Sequence, residues 1–312
     1  MNGIVTKSTG SWYSVRTEDG EVHQCRIPGK FRMKGIKSTN PIAVGDEVSF
    51  ELEPKKETGV VKEIHERRNF IVRKSVNLSK QTHIIASNID IAFLIVTLHN
   101  PETTTTFIDR FLATAEAYSI KTILLFNKVD THDEEMDEYR EAFKYIYSSI
   151  GYKCIDVSAT QKININLVKD LMKDHVSLFA GHSGVGKSTL VNALEPTLDL
   201  KTKEISEQHQ QGQHTTTFAE MYPLSFGGYI IDTPGIRGFG VVDFDKYQVT
   251  DYFPELFALK SDCKFNNCLH LNEPKCAVKD ALENGEISET RYESYLQLLS
   301  EDEEHYRQDT FK

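Results

Sequence analysis

The sequence predicts a three-part chain: an N-terminal five-stranded β-barrel of OB-fold type, a central α/β domain on a mostly parallel sheet, and a C-terminal helical module around a cysteine cluster. Three observations carry that reading. Short β-prone runs separated by polar turns fill residues 1–75. Strands alternate with helix-length stretches from Ile89 onward. Three of the five cysteines, Cys263, Cys268 and Cys276, lie close together beyond residue 241.

In the barrel the β-runs are Gly3–Thr6, Trp12–Thr17, Glu21–Ile27, Asp46–Leu52 and Gly59–Ile64. Glu18-Asp19-Gly20, Pro28-Gly29 and Val44-Gly45-Asp46 separate them with residues that favour turns. Five short strands with polar turns fit a small closed barrel, in which no edge is left unpaired. Residues 76–88 read as a linker. The buried strand Ile89–Leu98 then leads to a helix over Phe107–Ser119, a strand at Thr122–Phe126 and a helix over Glu134–Ser149. A strand at Lys153–Val157, a helix over Asn166–Lys173, a strand at Val176–Ala180, a helix over Ser188–Leu194 and a strand at Tyr229–Ile231 complete the set. Such alternation implies βαβ units. Beyond Asp243 the chain turns helical and ends in a charged helix around Glu289–Arg307. The expected divisions are residues 1–75, 76–240 and 241–312.

Composition excludes several classes. At 39% hydrophobic and 26% charged residues, the chain is an ordinary globular one. No apolar run reaches the ~18–20 residues of a membrane span, and the first ten residues lack a basic-then-apolar signal. A cytoplasmic monomer with no membrane partner is expected. Clustered cysteines in a reducing compartment point to metal ligation before disulfides. The net charge of −10 is uneven, since residues 1–80 carry 15 Lys and Arg against 10 Asp and Glu. Screening over ~8–10 Å lets such a basic domain meet a phosphate backbone despite an acidic body.

Gly181-His182-Ser183-Gly184-Val185-Gly186-Lys187-Ser188, followed by Thr189, fits G-x-x-x-x-G-K-[ST] between a strand and a helix. Glycines let backbone N–H groups converge on phosphates, Lys187 would reach the β- and γ-phosphates, and the Ser188 hydroxyl would hold Mg²⁺. Asn127-Lys128-Val129-Asp130 selects guanine: the Asp130 carboxylate matches the adjacent donors on N1 and N2, which adenine lacks. Asn127 can pin the loop, and the Lys128 stem can cover the base. Ser158-Ala159 falls where a contact to guanine O6 is wanted. In Asp232-Thr233-Pro234-Gly235 the carboxylate would hold Mg²⁺ through water, and the Gly235 N–H would meet the γ-phosphate. Between these lies Thr215-Thr216-Thr217, from which a switch threonine, with Thr215 and Thr216 the candidates, would complete the metal shell.

The motif order is permuted, because N-K-x-D and S-A precede the phosphate loop instead of following it. With the preceding barrel and the trailing Cys/His cluster, this order resembles the bacterial ribosome small-subunit-dependent GTPase A family. The resemblance also rests on Val44-Gly45-Asp46, Ile64–Arg73 and Asp109-Arg110. It implies a late assembly factor that binds the small ribosomal subunit and its rRNA and hydrolyses GTP under ribosome stimulation. Ile236 stands where Ras-like proteins place a water-orienting glutamine. The resemblance assigns that part to the histidine before the switch threonines, which is His214, and an imidazole can orient water near neutral pH.

Cys263, Cys268, His270 and Cys276 supply three thiolates and one imidazole, which fits a closed tetrahedral structural site. Free buried cysteines or an iron–sulfur cluster are the alternatives; the histidine and the family pattern favour zinc. In the barrel, Trp12, Tyr13 and Phe31 stand near Arg16, Arg26, Lys30, Arg32, Lys34 and Lys37, a set able to stack bases and hold phosphates or, equally, to form core and solvated face. Two rival functions are a metal-delivering NTPase and an RNA-binding module that uses GTP only as a conformational ligand. The base-recognition argument predicts that Asp130→Asn exchanges GTP for XTP in competition binding, because the new amide donates to the extra carbonyl of xanthine.

Overall fold

The computed structural model describes residues 1–28, 41–54, 56–74, 82–198, 219–232 and 246–300. Strands β1 (Asn2–Ser8), β2 (Tyr13–Arg16), β3 (Val22–Arg26), β4 (Glu47–Leu52) and β5 (Thr58–Ile64) pair in the order β1-β2-β3-β5-β4. β4 returns to pair with β1, which closes an OB-like barrel, and β3 and β5 run parallel. Inward residues Val5, Tyr13, Val15, Cys25, Val48, Phe50 and Val61 are buried and form the barrel core. Tyr13 is therefore core and offers no face for stacking, whereas Trp12 is 42% exposed.

Residues 76–88 are not simply a linker. Thr82–Ser87 forms β7, antiparallel to β6 (Phe70–Lys74), and Ala86 bridges back to Val44 in the barrel. Ile84 and Ala86 supply the buried face that holds this strand in place. The same junction explains Val44-Gly45-Asp46. The Asp46 carboxylate is wholly buried and accepts hydrogen bonds from Ala43 N (2.8 Å), Ser87 Oγ (2.6 Å), Arg67 Nε (2.6 Å) and Arg67 Nη2 (2.6 Å). Gly45 has φ +91°, and a Cβ there would lie 2.1 Å from the Ser87 carbonyl oxygen. Only glycine permits both the left-handed turn and the close approach.

The central sheet contains β8 (Ile91–Val96), β9 (Lys121–Asn127), β10 (Lys153–Val157), β11 (Val176–Ala180), β12 (Glu220–Pro223) and β13 (Tyr229–Asp232). Their order is β10-β9-β8-β11-β13-β12, parallel except for β12, which runs antiparallel to β13. β12 was not foreseen, being four residues long and ending in proline. It also pairs with β1 at Lys7–Glu220, where an ion pair of 3.0 Å reinforces the contact, so barrel and central sheet are continuous. All six residues of β8 are buried because both faces are covered. Ala92, Leu94 and Val96 join a core with Ile108, Phe111 and Leu112 of α1 (Thr105–Ala117) and Phe143 and Tyr147 of α2 (Glu134–Ser148). Ile91, Phe93 and Ile95 join the opposite core with α3 (Ile165–Met172) and α4 (Lys187–Leu194).

A 3-10 turn at Val249–Tyr252 leads into the helical C-terminal module of α5 (Pro254–Lys260), α6 (Ala277–Glu283) and α7 (Glu289–Ser300). Arg291 of α7 fixes it to α1. Its guanidinium, 1% exposed, donates to Asp109 Oδ1 at 2.8 Å and to both oxygens of Glu255 at 2.7 and 3.1 Å, and lies 4.6 Å from the Phe253 ring centroid. Burial opposes its charge, but the carboxylates of Asp109 and Glu255 outweigh that and raise its pKa. Removing one member strands the other charges away from water. Arg291→Ala should therefore cost about 3–5 kcal/mol, measured as a shift in the urea unfolding midpoint of the full chain.

Candidate guanine-nucleotide site and metal centre

The carboxyl ends of the parallel strands bring the predicted motifs to one edge of the sheet, where open α/β folds bind ligands. Asn127 closes β9, Ser158-Ala159 follows β10, Gly181 follows β11 and Asp232 ends β13. The loop 181–186 then opens α4. Gly186, in the left-handed region at φ +91°, takes the N-cap position, and no side chain caps the helix. The first N–H groups of a helix lack intrahelical acceptors, so those of Ser188 and Thr189 at the start of α4 can face an anion. A Cβ on Gly186 would lie 2.5 Å from Asn127 Nδ2, so the glycine is required by packing as well as by φ. Val185 is wholly buried with Leu190 and anchors the loop from inside. Ser183 is exposed. The His182 ring packs on Phe107 of α1 at 3.7 Å between centroids, and burial lowers its pKa.

Two hydrogen bonds tie the N-K-x-D loop to the phosphate loop. Asn127 Nδ2 donates to Val185 O at 2.8 Å, and Lys128 Nζ donates to Gly184 O at 2.8 Å. Lys128 also donates to Asn100 O at 2.5 Å, so the segment after β8 supports the same junction. Lys128 lies in the left-handed region at φ +68° and starts the 3-10 turn Val129–Thr131 that exposes Asp130. Hydrogen bonds from the hydroxyls of Ser158 and Thr160 hold the Asp130 carboxyl below the usual carboxylate range. The Thr160 Oγ1–Asp130 Oδ2 distance is 2.9 Å, and Ser158 Oγ lies 3.1 Å from Thr160 Oγ1. Ser158 is fully buried and Ala159 half-buried.

Thr160 and Asn100 escaped the sequence analysis. Thr160 is one hydroxyl in an irregular turn, and Asn100 acts through a carbonyl that any residue carries. His214, Thr215, Thr216, Thr217, Gly235 and Ile236 lie outside the described residues, as do Lys30, Phe31, Arg32, Lys34 and Lys37 of the barrel. Arg26 is paired with Glu53 at 2.6 Å.

Cys263, Cys268, His270 and Cys276 converge as a buried cluster whose ligand atoms all lie within 4.8 Å of one another. Cys263 Sγ is 3.6 Å from His270 Nδ1 and 3.9 Å from Cys276 Sγ, and His270 Nδ1 is 3.3 Å from Cys276 Sγ. An ideal tetrahedron with metal–sulfur bonds of ~2.3 Å and a metal–nitrogen bond of ~2.0 Å has edges of ~3.5–3.8 Å. Cys263, His270 and Cys276 lie close to these edges and Cys268 Sγ is within 4.8 Å of each, a set that could hold one tetrahedral ion. Glu273 accepts N–H bonds from Leu269 and Leu271 at 2.8 Å, and Tyr292 and Tyr295 donate to the carbonyls of His270 and Leu269 at 2.5 and 2.9 Å, which shapes the loop. Burial pushes the Cys268 thiol up to about 12, so thiolates here need a cation beside them. Cys268→Ser should lower the metal content of the purified chain from about one ion towards none, and lower Tm by several degrees, because site and loop fold together. Elemental analysis and a thermal melt measure the two.

Comparison with known proteins completes the picture. The RsgA GTPase family model matches residues 64–242, and the RsgA N-terminal domain model matches residues 2–61. The chain is 63% identical to the Small ribosomal subunit biogenesis GTPase RsgA of Flavobacterium psychrophilum, over 100% of this chain and 96% of that one. The protein of the same name from Christiangramia forsetii is also 63% identical, over the full length of both. Among solved structures, YjeQ from Thermotoga maritima is 34% identical with a TM-score of 0.78, covering 96% of each chain. YloQ, described as a circularly permuted GTPase, is 31% identical with a TM-score of 0.75, covering 97% of this chain and 95% of its own. The chain belongs to the RsgA GTPase family, and the order of its motifs makes it a circularly permuted GTP hydrolase.

Proposed function

We propose that this GTPase binds the small ribosomal subunit in the cytoplasm, assists its late maturation as a monomer, and hydrolyses GTP to GDP and phosphate when the subunit stimulates it. The single observation that carries the nucleotide reading is the pair of bonds from Asn127 and Lys128 to the carbonyls of Val185 and Gly184, which sets a base-reading loop beside a phosphate loop. The ribosomal reading is supported by the names of relatives matched along the whole chain.

In this reading Asp130 accepts from guanine N1 and N2, Lys128 covers the base, and Ser158-Ala159 faces O6. The N–H groups of residues 181–188 cradle the phosphates while Lys187 neutralises charge at the β–γ bridge. Mg²⁺ would be held by Ser188, by Thr215 or Thr216 and, through water, by Asp232, and supplies charge neutralisation on the phosphates. The Gly235 N–H meets the γ-phosphate. His214 orients the attacking water, since Ile236 offers neither donor nor acceptor. Zn²⁺ occupies the Cys₃His cluster as a structural ion. No helix among the described residues is long and apolar enough to cross a membrane. Trp12, which is exposed, is the remaining described aromatic of the set proposed to contact rRNA. Working domain limits are 1–75, 76–240 and 241–312.

Multiple-turnover phosphate release, measured with and without purified small subunits, tests the proposal. Subunits should raise turnover by about 10³-fold or more, the range that partner-supplied transition-state groups give GTPases. Lys187→Ala should abolish the stimulated rate. Absence of stimulation would favour a module that uses GTP only as a conformational ligand.

A further inference from the structure

A pair of histidines lies directly beneath the base-reading loop and has no part in the assignments above. His132 ends the 3-10 turn that carries Asp130, and its backbone N–H donates to Val129 O. Its side chain is 1% exposed. The His99 ring, from the segment after β8, lies 5.5 Å away between centroids.

Neighbouring groups set the hydrogen-bonding roles of both rings. Arg140 Nη1 of α2 is 3.2 Å from His132 Nδ1, and a guanidinium can only donate. His132 Nδ1 must therefore present a lone pair, which leaves the ring neutral with its proton on Nε2. Thr131 Oγ1 donates to Lys128 O at 2.7 Å, so its 3.4 Å contact with His99 Nε2 is one in which the histidine donates. The remaining nitrogens, His132 Nε2 and His99 Nδ1, are buried without a hydrogen-bond partner.

From this geometry we propose that His132 is a positioning residue for guanine binding that works only as the neutral imidazole. Proton uptake by His132 therefore loosens the turn presenting Asp130 and weakens nucleotide affinity. This rests on the assignment of Asp130 as the base-reading group. A proton on Nδ1 would set donor against donor at Arg140 and bring like charges together. The ring's displacement would act on Thr131, and through the Thr131–Lys128 bond on the lysine tied to Gly184.

All charged neighbours enter the balance. Burial disfavours the imidazolium first, followed by Arg140 and His99; Asp137 of α2, 3.6 Å from Nδ1, and Asp156 of β10 oppose them. The result is a pKa below the ordinary histidine value. Arg140 is itself held by Asp137, Glu141 and Asp156, and Lys144 is held by Glu141 and Asp156, so much of the acidic charge is already engaged. The sign follows by linkage. A group whose pKa is lowered in the ordered loop contributes its full effect above the ordinary value near 6.5. That contribution is lost as pH falls below this value, towards the lowered one.

GDP affinity of the full chain, measured from pH 8 to 5.5 with a fluorescent GDP analogue, tests the inference. His132→Gln cannot titrate and should bind within about threefold of wild type at pH 8. The wild-type Kd should then rise relative to the variant as pH falls from about 6.5 through the lowered pKa of His132, by up to ~10-fold per pH unit. Taking the ratio cancels titration of the nucleotide phosphates and of His182. A constant ratio across the range would overturn the proposal. Arg140→Gln removes the like charge and should move the wild-type midpoint upward, which covers the case in which His132→Gln fails to fold; an unmoved midpoint would also overturn it. Competition with ADP at pH 8 separates the two levels. Lost guanine preference there would sink the base-reading assignment and this inference together, whereas preserved preference with a flat profile removes this inference alone.

Discussion

The site depends on where the carbonyl groups of the phosphate loop go. A strand–loop–helix turn that aims its N–H groups at an anion must aim its carbonyls the other way, and buried carbonyls need partners. Asn127 satisfies the buried carbonyl of Val185, and Lys128 engages the more exposed carbonyl of Gly184. The same two side chains belong to the N-K-x-D loop, proposed to read the base. One arrangement thereby satisfies the backbone of the phosphate loop and fixes its separation from Asp130. Left-handed glycines at 184 and 186 make the turn possible, and the close approach of Asn127 excludes any larger residue at 186.

This explains why chain order is immaterial to the chemistry. Asn127 reaches the loop after β11 across the end of β8, the strand between them. The contact depends on strand order in the sheet, which is unaffected by where the chain begins. Permutation matters instead for what is attached. The segment leaving β8 supports Lys128 through Asn100 and leads into α1, which carries Phe107 against His182 and Asp109 against Arg291. One helix thus touches the phosphate loop with its first turn and the module that carries the Cys₃His cluster with its next. At the other end of the chain, Asp46 and Arg67 fasten the barrel to β7.

Legibility in the sequence followed how narrowly the chemistry limits the residue. Phosphate cradling and guanine recognition each admit few side chains at fixed spacing, so both motifs could be named from the residues alone. The Cys₃His set could be named for the same reason. Val44-Gly45-Asp46 looked like a turn, and it is one. Its buried partners, Ser87 and Arg67, are brought to it only by folding. β7 passed for a linker because its short apolar stretch gains meaning only against Val44. Tyr13 could not be assigned to core or surface until the register of β2 placed it inward. Thr160 and the Asn100 carbonyl had no pattern to betray them.

The two halves of the proposed reaction draw on different parts of the chain. The groups that would grip base and phosphates are linked to one another: Asn127 and Lys128 to the phosphate loop, Asp130 to Thr160, and Lys128 to the segment below. The group proposed to orient water, His214, and the aliphatic Ile236 at the usual glutamine position come from two other segments. Contacts formed equally in the ground state and the transition state lower KM without raising kcat. Whatever perturbs the base-reading turn, including a proton on His132, should therefore register in affinity and leave the chemical step untouched. A partner that acts on the groups proposed to orient water would bear on the other term, which in the proposed reading separates occupancy by nucleotide from its consumption.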